Sequence, residues 1–160
     1  MTSIVVMGVS ASGKTEVGRR LATALDVGFV DGDDLHPPTN VAKMTSGVPL
    51  TDTDREPWLD AVAAVLTGGG VVVACSALRR SYRDRLRAGA GREIRVLHLD
   101  VSEPELRRRI ERRVDHFIPP SLLADQLATL EDPRGEPDVT VIDADRGLDH
   151  VVDDALASLR

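Results

Sequence analysis

Hydrophobic positions fall into two rhythms along the chain. Short runs of β-branched and apolar residues at 4–7, 27–30, 71–75, 94–99 and 139–142 predict five strands. Between them, apolar positions recur at helical spacing and predict helices over 14–25, 55–66, 79–87, 103–113, 122–130 and 148–159. The run at 71–75 is continuously apolar instead of alternating, which is the pattern of a parallel strand with helices over both sheet faces. Pro37 and Pro38 break the chain after 31–36. Residues 51–54 can cap the helix from 55, with Pro57 in its permissive first turn, and Gly68, Gly69 and Gly70 stop it. Regular alternation of strand and helix predicts one compact α/β domain over 1–160, with its ligand crevice beyond the carboxyl ends of the strands.

Composition narrows the class. With 160 residues, 42% of them hydrophobic, the chain can build one core of moderate size. The single cysteine, Cys75, has no internal partner, so a reducing, cytoplasmic setting is the expectation. Twenty Lys and Arg against 26 Asp and Glu leave a formal charge of −6, which argues against non-specific binding to nucleic acid or to an anionic membrane. Arginines crowd between 79 and 113, however, and leave room for a local anion pocket. No apolar run is long enough to cross a bilayer, and no basic leader opens the chain. The histidines, His36, His98, His116 and His150, lack the close spacing of a zinc site.

One segment carries specific chemistry. Gly8-Val9-Ser10-Ala11-Ser12-Gly13-Lys14-Thr15 fits G-x-x-x-x-G-K-[ST] between a predicted strand and a predicted helix. Gly8 and Gly13 allow the tight turn, and the N–H groups from Ser10 through Ala11, Ser12 and Gly13 to Lys14 can surround a β-phosphate at the helix's positive end. Lys14 should reach the β- and γ-phosphates, and Thr15 should give its hydroxyl to Mg²⁺. Asp31-Gly32-Asp33-Asp34 ends the second predicted strand, where carboxylates can face that turn. Asp33 is the candidate to accept a proton from a substrate hydroxyl, and Asp31 to position metal or water. His36 reads as a polar pocket contact and His98 as packing.

With these motifs in place, the sequence resembles the gluconate kinase (gluconokinase) family of small P-loop sugar-acid kinases. The similarity is carried by GVSASGKT at 8–15, DGDDLHPPTNVAKMTSGVPLTDTDREPWL at 31–59, CSALRRSYRDRLR at 75–87, His116-Phe117, and LLADQLATLEDP at 122–133. The resemblance implies a three-layer, shikimate-kinase-like P-loop fold, its five-stranded parallel sheet covered by helices. A substrate-binding segment is implied over about 33–66 and a small mobile lid over about 113–125. It also implies transfer of phosphate from ATP, with Mg²⁺, to the 6-hydroxyl of D-gluconate. Asp33 and His36 are then expected in the sugar-acid pocket, and Arg55 and Arg79 at its carboxylate or hydroxyls, since an arginine fork grips a carboxylate bidentately. Arg109, Arg113 and His116 match the pattern around the lid, where they could neutralise the triphosphate or cover the adenine when the site closes; Arg113, together with Lys14 of the turn, would neutralise the moving phosphoryl group, and His116 would face the substrate. A homodimer is implied as well. Family members usually carry glycine where this chain has Ala11 and Asp115. Ala11 is expected to cost little, and Asp115 to alter lid opening or rate. Two other readings use the same turn: another metabolite kinase, such as a shikimate kinase, or a non-catalytic ATP-dependent regulatory module.

Overall fold

Helices cover both faces of a parallel sheet in the computed structural model, which describes residues 1–113 and 119–160. In chain order the elements are β1 (Ser3–Met7), α1 (Lys14–Leu25), β2 (Gly28–Asp31), a 3₁₀ turn (Gly32–Leu35), α2 (Pro38–Thr45), α3 (Asp52–Thr67) and β3 (Val71–Ala74). Then follow α4 (Arg80–Ala90), β4 (Ile94–Asp100), α5 (Glu103–Glu111), α6 (Pro120–Thr129), β5 (Val139–Asp143) and α7 (Leu148–Ser158). All five strands run parallel in the order β2-β3-β1-β4-β5. From β1 the chain goes to the edge strand β2, returns to β3 between the two, and crosses over to β4 and β5 on the other side, so strand order reverses beside β1. Ligands bind at such points in open α/β sheets.

The strands show why an unbroken apolar run is needed. Ile4 and Val6 of β1, Val72 of β3, and Leu97 and Leu99 of β4 pack with Leu21, Leu106, Leu123 and Val151 from α1, α5, α6 and α7. Val5, Met7, Val73 and Val96 point the other way, onto Trp58, Leu59, Val62 and Leu86 of α3 and α4. Alternate residues of one strand thus enter two different cores, which is why the central positions run apolar without alternation.

Three features depart from the expected elements. The proline pair starts a helix as well as breaking one: Pro37 is extended at the N-cap and Pro38 takes the first helical position of α2, where its missing N–H has no helical role. Helix α3 begins at Asp52, three residues early, because Thr51 and Asp54 form a reciprocal cap. The Thr51 hydroxyl accepts from the Asp54 N–H at 3.1 Å, and the Asp54 carboxylate accepts from the Thr51 N–H at 2.9 Å. That earlier start puts Pro57 inside the helix and not in its first turn.

The third departure is a buried ion cluster. Arg83 of α4, only 1% exposed, grips Glu136 with two hydrogen bonds of 3.0 and 2.7 Å. It also donates to the carbonyls of Ala77, Leu78 and Glu131. Arg87, one turn on, bonds Glu136 at 2.8 Å and Asp138 through two nitrogens at 2.7 Å. The polar connection before β5 is thereby clamped to α4 and to the segment leaving β3. Among the described residues, no helix is long and apolar enough to cross a membrane.

Candidate active site

The segment 8–15 forms a tight loop from the end of β1 into α1. Gly13 caps the helix at φ 97°, in the left-handed region that favours glycine. Among the described residues, the N–H groups of Ala11, Gly13, Lys14 and Thr15 have no hydrogen-bond acceptor, while Ser12 N–H closes the loop on Val9 O at 3.2 Å. Four unpaired donors at a helix N-terminus are the chemistry of a phosphate cradle. The Lys14 ammonium folds back onto Val9 O at 3.0 Å. Burial lowers its pKa, against the opposing pull of Asp33, Cys75 and Asp31. Ala11 itself has φ 67°. An L-residue there carries some left-handed strain from its own Cβ.

Facing this loop, the turn after β2 holds the carboxylates. Thr15 donates its hydroxyl to Asp31 Oδ2 at 3.2 Å, and Asp31 Oδ1 accepts the N–H of Asp33 at 3.0 Å. A hydroxyl and a carboxylate side by side are a hard oxygen donor set, the kind that holds Mg²⁺ together with phosphate oxygens. The turn lies close to the end of β3: a Cβ on Gly32 would stand 2.5 Å from Ala74 O, so glycine is required by close approach. Desolvation raises the Asp33 carboxyl above the ordinary range, with Lys14 opposing and Asp31 reinforcing. Cys75, buried beneath, has its thiol pushed up to about 12 by desolvation, which leaves it protonated and unreactive.

Beyond Asp33 the walls become aromatic. His36 stacks on Trp58 with ring centroids 4.3 Å apart and planes 14° from parallel, and the indole N–H of Trp58 donates to Gly32 O at 2.7 Å. Burial lowers the pKa of His36, with Asp33 opposing and Arg55 reinforcing. Arg55 donates to Leu50 O at 2.8 Å and to the Tyr82 hydroxyl at 3.2 Å. Asp52 lies between two of the predicted arginines, 3.8 Å from Arg55 and 3.9 Å from Arg79. The structure thus joins Lys14, Asp33, His36, Arg55 and Arg79 in one line of interacting groups along the carboxyl ends of β1, β2 and β3.

On the opposite side of the loop, Arg109 donates to Glu105, to Ala144 O at 2.6 Å, and to the carbonyls of Ala11 and Ser12 at 3.3 and 3.4 Å. It braces the loop 8–15 through its carbonyls. Arg113 is exposed, and its charge acts on Lys14. His116 and Asp115 lie outside the described residues. Sequence reasoning missed Gln126 of α6, whose side-chain carbonyl accepts the Ser10 N–H at 2.6 Å while its amide donates to Ser10 Oγ at 2.9 Å. It also missed Trp58 and Asn40. The only tryptophan of the chain, inside the most specific motif, was the available signal for Trp58.

Comparison with known proteins places this arrangement in context. The family described as "AAA domain" matches residues 4–133. The gluconokinase of Gluconobacter oxydans is 48% identical over 158 residues, covering 96% of this chain and 88% of that protein. A crystal structure of a gluconokinase from Sinorhizobium meliloti 1021 superposes with a TM-score of 0.93 at 51% identity, covering 99% of this chain and 91% of the other. A shikimate kinase from Bacteroides thetaiotaomicron reaches a TM-score of 0.72 at 17% identity, covering 99% and 98%, and shares the fold alone.

Proposed function

We infer that this chain, which belongs to the gluconokinase family, is a gluconate-phosphorylating kinase that moves the γ-phosphoryl group of ATP to the 6-hydroxyl of D-gluconate. The observation that carries the reading is the facing pair at the strand ends: a cradle of amides unpaired among the described residues, with Lys14, on one side, and Asp33 with the His36–Trp58 wall on the other. The first side fits a polyphosphate and the second a hydroxylated acid. In this reading, residues 33–66 are the substrate segment and 113–125 the lid, in a cytoplasmic protein that pairs as a homodimer.

The roles follow from the chemistry of each group. The amides of Ala11, Gly13, Lys14 and Thr15 hold the phosphates, and Lys14 leaves Val9 O for the β- and γ-oxygens. Thr15 and Asp31 would hold Mg²⁺, which when bound neutralises charge on the phosphate oxygens. Asp33 orients the 6-hydroxyl and takes its proton late in an in-line transfer, so no phosphoenzyme is needed. Arg55 and Arg79 take the carboxylate and hydroxyls of the acid, drawn away from Asp52, and Arg113 adds positive charge at the phosphates. His116 is proposed at the same substrate.

The test is MgATP-dependent transfer to D-gluconate, shikimate and D-glucose, with products identified by NMR. Selective 6-phosphogluconate is the expected result; selective phosphorylation of shikimate, or ATP binding without any transfer, refutes the reading. Asp33→Asn should lower turnover by about 10²–10⁴. The wild-type acid limb, read as kcat against pH, should lie above the ordinary carboxylate range because desolvation raises Asp33. Stability moves in the opposite direction: the charged form is disfavoured in the fold, so the unliganded protein gains stability as pH falls through the raised folded value towards the unfolded one.

A further inference from the structure

We propose that Asn40 fixes His36 as a neutral imidazole with its proton on Nε2, so that the pocket presents a hydrogen-bond donor, and not a base, to an oxygen of the sugar acid. Counting hydrogens carries the assignment. Asn40, on α2, is 2% exposed. Its side-chain nitrogen lies 2.9 Å from Asp54 O and 3.2 Å from His36 Nδ1. A main-chain carbonyl only accepts, so the NH₂ end of the amide, and not its oxygen, must face Asp54. One of the two amide hydrogens goes to that carbonyl and the other to Nδ1, which must therefore offer a lone pair. The proton of the neutral ring is then on Nε2. An imidazolium would set N–H against N–H across 3.2 Å.

The ring has little freedom to evade this arrangement. Trp58 lies flat against it, and Trp58 is itself tied through its indole N–H to Gly32 O. Turning the imidazole over would take Nδ1 away from Asn40. Two charged groups act on the ring: Asp33, from the 3₁₀ turn, favours the cation, whereas Arg55, from α3, disfavours it, and burial adds to Arg55. Among the described residues Nε2 has no partner. An Nε2–H suits a hydroxyl or carboxylate oxygen and has no capacity for the proton of the reacting hydroxyl, which leaves that task to Asp33. Asn40 is thus a positioning residue and His36 a specificity-determining one. The substrate rests on the gluconate reading; the tautomer does not.

The test starts without substrate. Long-range ¹H–¹⁵N correlation spectra of the full chain at neutral pH, with His36 assigned by its loss in His36→Gln, should show a protonated Nε2 and an unprotonated Nδ1. The reverse pattern, or two protonated nitrogens, overturns the proposal. In Asn40→Asp the partner becomes an acceptor, so the spectrum should move to a protonated Nδ1. The KM for gluconate should then rise about tenfold, the scale of one hydrogen bond, with the KM for ATP unmoved. An unchanged His36 spectrum in this variant counts against the assignment. If Asn40→Asp does not fold, two His36 variants decide: glutamine, which keeps a donor, should hold the gluconate KM within about threefold, whereas leucine should lose about tenfold. Equal losses overturn the donor role. A protein with the expected spectrum but no transfer to gluconate would contradict the substrate reading and leave the tautomer standing.

Discussion

Charges are treated in opposite ways in two parts of this molecule. In the clamp between α4 and the 131–138 connection, each polar atom of Arg83 meets an acceptor, and Glu136 receives from two arginines. Burial alone would raise the Glu136 carboxyl, but hydrogen bonds from Arg83 and Arg87 outweigh it and hold the group below its ordinary range. At the mouth of β1 and β2 the balance is reversed. Lys14 has a single carbonyl partner and is destabilised as a cation by burial, Asp33 is destabilised as an anion, and four loop amides are unpaired among the described residues. Saturated charges hold a segment in place; unsaturated ones are poised to bind. Perturbed groups that cluster in a crevice mark function by the same logic.

The comparison is broken most forcefully at the clamp. Arg83→Met leaves Glu136 buried with Arg87 alone as its partner and orphans the carbonyls of Ala77 and Glu131, while Leu78 O keeps the Glu131 N–H at 2.8 Å. Removing one partner of a buried pair costs about 3–5 kcal/mol. Arg87 still reaches Glu136, which puts the expected loss at the lower end of that range. Urea unfolding should show it, with gluconate KM little changed if the protein is assayed well below its midpoint. Adding Glu136→Leu should recover only part of the stability, because the carbonyls of Ala77 and Glu131 stay without the Arg83 donor. Full recovery would show that the pair alone, and not the carbonyl contacts, holds the connection.

The converse experiment is Lys14→Met. Loss of one preorganised charge at the phosphates should lower kcat by about 10²–10³. The melting temperature should hold or rise, since a desolvated cation is replaced by an apolar chain of similar length. A large fall in stability would instead make Lys14 a structural residue of the loop, and the contrast with Arg83 would fail.

These two regions also differed in how far the sequence could be read. The loop 8–15 and the turn 31–34 are local: spacing and residue type suffice, because the backbone itself makes the site. The strands were readable for a related reason, since two-faced burial demands unbroken apolar runs such as 71–75. Arg83 meets Glu136 across 53 residues and Gln126 meets Ser10 across 116, and nothing at either end announces its partner. In sequence, Arg83 is one more charge in an arginine-rich helix. Helix α2 was missed because Pro37 and Pro38 were read only as a break, although the second one occupies the helical position that tolerates it. Asn40, carried on that helix, was missed with it.

The smallest effect sharpens the picture of the loop itself. Ala11 stands at φ 67° with its methyl among the buried core residues. Replacing it with glycine relieves about 1–2 kcal/mol of left-handed strain. Against that, the unfolded chain gains freedom that costs about 0.4–1 kcal/mol. Loss of the buried methyl removes up to about 0.8 kcal/mol more. The terms nearly cancel, so Ala11→Gly should shift stability by less than about 1 kcal/mol, a change of roughly 2–4 °C at most in a chain of this size. Differential scanning calorimetry would read it. A stabilisation well beyond that range would mean the loop carries more strain than one Cβ explains; a marked loss would mean that the methyl, packed beneath the cradle, holds the unpaired amides in their places and that alanine here is part of how the loop stays preformed.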